Sequence, residues 1–68
     1  MALVQQYNDD GDARLFEESG LVITIARADR KLTRKDVAPA LRMFGYKQGT
    51  KWVKLDWGWE ARFYRIAR

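Results

Sequence analysis

Neither histidine nor cysteine occurs among the 68 residues. That removes imidazole bases, thiolate nucleophiles, disulfide staples and the usual zinc ligands. The acids most suggestive of catalysis are Asp56 and Glu60, which flank the glycine of WGW. A metal-dependent nuclease needs carboxylates converging on one or two cations, with a base beside them. Two acids at a turn leave most of a coordination shell to water, and they serve solubility equally well. A calcium loop opening at Asp29 fails, because Arg34 stands where the loop needs glycine and Ala40 where it needs the bidentate glutamate. Ser19 and the threonines have no base to activate them. We therefore expect no enzyme and no cofactor.

Chemistry of binding is better represented. The stretch Thr50 to Arg68, TKWVKLDWGWEARFYRIAR, holds all three tryptophans together with Lys51, Lys54, Arg62, Arg65 and Arg68. Cations attract phosphates whatever the base sequence, and exposed rings stack on unpaired bases for about 1–3 kcal/mol each. On this reading Lys51, Lys54, Arg62, Arg65 and Arg68 contact phosphates, while Trp52, Tyr64 and Trp59 meet bases. Charge division supports it. Residues 1–20 carry Asp9, Asp10, Asp12, Glu17 and Glu18 against Arg14, whereas residues 21–68 carry twelve Lys and Arg against Asp29, Asp36, Asp56 and Glu60, for +4 in all. Such asymmetry points to a polyanion, DNA or RNA, for the basic part. The competing reading folds the acidic arm onto the basic face and neutralises it internally.

A hairpin must present these residues. Two β-rich runs flank Gly58, which takes a positive φ without a steric penalty. An odd-numbered loop, Trp57 to Trp59 or one residue longer on each side, sets Val53 against Phe63 and Leu55 against Ala61 on an apolar face. Trp52 then faces Tyr64, and Lys54 faces Arg62, a like-charge pair that an anion would relieve. A two-residue loop at Trp57 and Gly58 mixes the faces. Trp57 and Trp59 at the tip are hard to bury together, so at least one should be exposed.

Upstream, Asn8 to Asp12 reads as a turn between strands at about Leu3–Tyr7 and Ala13–Glu17. The alternative is a short helix from Ala13 to Ser19, with Asp12 as its cap. Leu21 to Ala28, LVITIARA, is apolar on both alternating faces and reads as the central strand. After the basic connection DRKLTRK, Thr33 and Asp36 resemble a capping box, and Val37, Leu41 and Phe44 fall on one helical face. Gly45 is the natural residue beyond the helix end, with Tyr46 packing back on it. Pro39 suits a first turn, which argues for a helix starting near Asp36. Lys35 and Arg42 share its solvent side, with Arg34 at the border. Lys47 to Thr50 reads as a loop. The helix and basic hairpin together resemble the end of a winged-helix module, although the two helices that should precede them are missing from the pattern.

The resulting expectation is a small α+β domain spanning residues 1–68, in which an antiparallel sheet of N-terminal hairpin, central strand and C-terminal hairpin packs on one helix. The longest apolar run, from Leu21, is far shorter than the roughly 20 residues of a membrane helix, and no secretory signal opens the chain, so a cytoplasmic location with no membrane partner is the default. The function expected is non-catalytic nucleic-acid binding through the basic, aromatic hairpin. The alternative is a small interaction or inhibitor protein, of the kind phages and mobile elements encode, docking on a larger protein through its tip tryptophans or acidic arm. Self-association into a homodimer is open to either.

Overall fold

The computed structural model describes residues 1–7 and 11–66. Its elements are β1 (Ala2–Tyr7), β2 (Ala13–Glu17), β3 (Val22–Ile25), α1 (Arg34–Met43), β4 (Tyr46–Gln48), β5 (Val53–Leu55) and β6 (Gly58–Arg65). This is the α+β arrangement expected, one antiparallel sheet with one helix. The strand order is β3-β2-β1-β6-β4, with β5 also paired to β6. The two N-terminal strands form a hairpin, Val4 opposite Leu15 and Gln6 opposite Ala13. The proposed turn residues Asn8 to Asp10 lie outside the described residues.

The sheet curls. Tyr46 on β4 donates its hydroxyl to the Glu17 carboxylate on β2, although β6 and β1 lie between those strands in sheet order. The concave face carries Val4, Leu15, Ala61 and Phe63, and α1 supplies Val37 and Leu41 to the same core. Leu32, just before the helix, and Ala2 and Ala13 complete it. Gln6 is the one buried polar residue among those described. Its amide Nε2 donates to the carbonyls of Gly11 at 2.8 Å and Leu32 at 3.0 Å, tying the connection before α1 to the central strand. A glutamine at an inward position also hides the alternation of β1, whose inward set is Ala2, Val4 and Gln6.

Several expectations are corrected. LVITIARA does not supply the central strand: β3 lies at the sheet edge, with Val22 50% exposed, and β1 and β6 are the central pair. The helix begins at Arg34, so Pro39 sits inside it rather than in its first turn. Phe44 leaves the helical face, because the chain departs from helical geometry there and its side chain is 60% exposed. Gly45 does close the helix at φ 89°, a conformation that penalises any Cβ. Tyr46 to Gln48 form a strand, not a loop, and Tyr46 is core.

The C-terminal hairpin differs most. Val53 pairs with Glu60, Lys54 with Trp59 and Leu55 with Gly58, so the loop is Asp56–Trp57. Relative to the expected pairing, the parity of β5 is inverted: its even residues now share a face with the odd residues of β6. The physical reason is that β5 does not need an apolar face. It is three residues long and leaves Val53 55% exposed, and β6 secures its buried face through β1 and β4 instead.

Candidate nucleic-acid interface

Inverting β5 sorts the anticipated binding residues into two groups. Lys54 and Trp59 project to the concave side, at the mouth of the curl beside the start of α1. There the guanidinium carbon of Arg34 lies 3.7 Å from the centre of the Trp59 ring, and the Lys54 ammonium lies 5.0 Å from it. Cations this close to an indole are held by its quadrupole. Arg62 and Tyr64 project to the convex side, where Tyr64 faces Lys47. Lys54 and Arg62 therefore do not face each other, and the like-charge pair that suggested an anion between them does not exist.

Trp52 precedes β5 and is partly buried against the core, meeting the Phe63 ring edge-on with centroids 6.2 Å apart. Its remaining surface lines a cleft of about 600 Å³ between α1 and the segment following β4. Thr33, Arg34, Lys35, Ala38 and Gln48 line the rest, and no acid is among them. Local structure explains the convergence. Thr33 caps α1, and Arg34 and Lys35 occupy its first turn. Segment 49–52 is pinned to β6, since the Thr50 hydroxyl accepts the Arg62 N–H at 2.9 Å and the Gly49 N–H donates to the Arg62 carbonyl at 2.8 Å.

The nearest carboxylate in the first turn is neutralised. Asp36 accepts both arms of Arg30, at 2.6 and 2.8 Å, and also the backbone N–H and hydroxyl of Thr33, at 2.9 and 3.0 Å. The Arg30 pairing, then the Thr33 N–H, hold its pKa far below the ordinary carboxylate range. The guanidinium of Arg27 likewise brings Asp29 down to about 2. Ion pairs among the described residues join Arg27 and Arg30 to these two acids. Glu17, from the acidic arm, accepts the Tyr46 hydroxyl, and that bond first, with smaller help from the Ser19 hydroxyl and the nearby Arg65 charge, lowers its pKa.

Of the anticipated residues, Trp52 lines the cleft, Lys51 is exposed on its segment, and Lys54 and Trp59 lie at the mouth of the curl. Arg62 and Tyr64 occupy the opposite face, and Arg65 is exposed near the Tyr46 ring at 6.0 Å. Arg68 lies outside the described residues. Sequence reasoning had left Arg34, Lys35 and Gln48 out of the site. The signal for Arg34 and Lys35 is only a basic first turn, ambiguous until the helix start is placed, and Gln48, on β4, carries none. Trp57 is exposed at the hairpin tip and packs against Tyr7, with centroids 5.0 Å apart at 44°. Glu60 accepts a hydrogen bond from the Gln5 amide at 3.1 Å, and Asp56 sits in the turn.

Comparisons with protein-family models, curated proteins and solved structures return no match.

Proposed function

We propose that the chain is a non-catalytic nucleic-acid-binding module whose contact surface is the cleft between α1 and segment 49–52. The observation that carries this reading is the composition of that cleft: an indole with one side fixed by the core, beside Arg34 and Lys35, with no acid in the lining. Lys51 on that segment and Lys54 on β5 extend the positive field, while Asp36 is occupied by Arg30. Phosphate attraction supplies affinity and the aromatic wall supplies a surface for a base.

Fluorescence anisotropy with labelled oligonucleotides at low ionic strength tests it. Log affinity should fall linearly with log salt, and the double variant Lys35→Ala/Lys51→Ala should reduce the slope by about 1.4 on a single strand or about 1.8 on a duplex. No binding at about 20 mM salt, where attraction to phosphate is strongest, would end the proposal.

The Tyr7–Trp57 pair favours a second reading, docking on a larger protein. Exposed aromatic anchors carry binding energy that salt hardly screens. Its signature is a complex lost with Trp57→Ala and little changed between low and high salt.

A further inference from the structure

Resting on the nucleic-acid reading, we infer that the cleft takes one unstacked base of a single strand, laid against Trp52, with the neighbouring phosphates on Lys35 and Lys51. Shape decides between strand types. A duplex keeps its bases stacked inside and is read by a convex element, a helix or ribbon, entering a groove. Here the recognition surface is an open, shallow depression between α1 and segment 49–52, with an indole wall and no protruding helix or ribbon. A shallow aromatic-walled depression suits an already unstacked base, and a single strand offers one without the unpairing cost that a duplex must meet.

The lining agrees. Trp52, Ala38 and the stems of Arg34 and Lys35 make it predominantly apolar, which suits a planar ring. Gln48, whose Nε2 donates one hydrogen to the Thr50 carbonyl at 2.8 Å, keeps a second N–H and an amide oxygen for a base edge, while the Thr33 hydroxyl is held as a donor to Asp36. A cleft of about 600 Å³ lies within the roughly 300–1,000 Å³ typical of small-molecule sites. Trp52 is also preorganised. Its edge-on contact with Phe63 fixes the ring before any ligand arrives, so little rotamer freedom remains to be lost on binding.

The test is tryptophan quenching and anisotropy with a ten-nucleotide oligothymidine, the corresponding duplex and thymidine monophosphate. The single strand should bind most tightly and quench emission. Trp52→Ala should remove that quenching and weaken single-strand binding by about 5- to 150-fold, leaving the salt slope unchanged. Because Trp52 packs on Phe63, Trp52→Leu serves as a second variant: it keeps an apolar plug but offers no aromatic face, and thermal melts confirm folding. Duplex binding equal to or tighter than single-strand binding, with Trp52→Leu neutral, overturns the unstacked-base inference while the nucleic-acid reading stands. Thymidine monophosphate binding as tightly as the strand also overturns it. Failure of all three ligands to bind sinks both.

Discussion

At residue scale, Gly49 and Tyr64 form a matched pair. A Cβ at Gly49 would stand 1.8 Å from Tyr64 Cε2 and 2.3 Å from Cδ2, so the ring lies directly on the glycine backbone. The ring is nonetheless 47% exposed, since its outer face looks to solvent from the convex side. Gly49→Ala must displace the ring. Overpacking typically costs about 1–3 kcal/mol, and a surface ring that can swing aside places this case near the lower end. In a Tyr64→Ala background the three nearest atoms, all of the ring, are gone, so the same substitution should be close to neutral. Urea denaturation of the two single variants and the double variant would show this as a coupling of about 1 kcal/mol. Additive behaviour would mean that the ring does not rest on Gly49 in solution. Segment 49–52 is the floor strip on which Trp52 is mounted, so this contact also bears on how rigidly the cleft is held.

At the scale of elements, α1 shows which local signals survive folding. Thr33, Asp36 and Gly45 announce the helix ends because a cap and a positive-φ stop are decided by a few adjacent residues. Pro39 misleads in the same stretch. Its missing N–H leaves the Lys35 carbonyl without a helical partner, yet packing of Val37 and Leu41 holds the turn around it. Replacing Pro39 with alanine should therefore stabilise the protein, by about 1–3 kcal/mol given alanine's helix propensity. A higher thermal midpoint and more helical circular dichroism would be the readout, and a loss of stability would indicate that the helix does not run through this residue. Strand boundaries were legible in the N-terminal hairpin, where Ala13–Glu17 is as expected. Order and register were not. LVITIARA looks central because β-branched residues are dense in it, but order depends on pairings between distant segments, and β1 earns the central place with a glutamine on its inward face. The cleft was half legible for a similar reason. Trp52, Lys51 and Lys54 stand out as types, whereas Arg34 and Lys35 join them only once α1 is docked, a contact that periodicity does not encode.

Across the whole molecule, curvature and acid sensitivity are linked. The Tyr46–Glu17 hydrogen bond closes the curled sheet from β4 to β2, and it lowers the Glu17 pKa below its ordinary value. Asp29 and Asp36 are lowered too, by Arg27 and by Arg30 respectively, so three carboxylates are more acidic in the folded chain than in the unfolded one. A group of that kind stabilises the fold fully above its unfolded pKa, and the contribution disappears as pH falls through the folded value. The thermal midpoint should accordingly hold from pH 7 to about 5, then decline steadily toward pH 2, with the Asp36 share still being lost at the acid end. Tyr46 acts with the opposite sense: burial, then its bond to Glu17, raise its pKa, so its contribution is present below about 10 and lost as pH rises past the folded value. Two variants separate the acid contributions. Asp36→Asn should flatten the most acidic part of the decline, because Arg30 and Thr33 lose their ionised partner. Tyr46→Phe should cost about 1 kcal/mol at neutral pH and shrink the part due to Glu17, whose Ser19 bond and Arg65 neighbour remain. The arginine ends of these pairs are exposed although the Asp36 side chain is largely covered, so about 0.5 M salt should partly shrink the Asp36 component by screening while leaving the Tyr46 component largely intact. A midpoint flat down to pH 3 would show that neither the helix-start cluster nor the closure of the curl persists in solution, and the cleft they position would lose its structural basis.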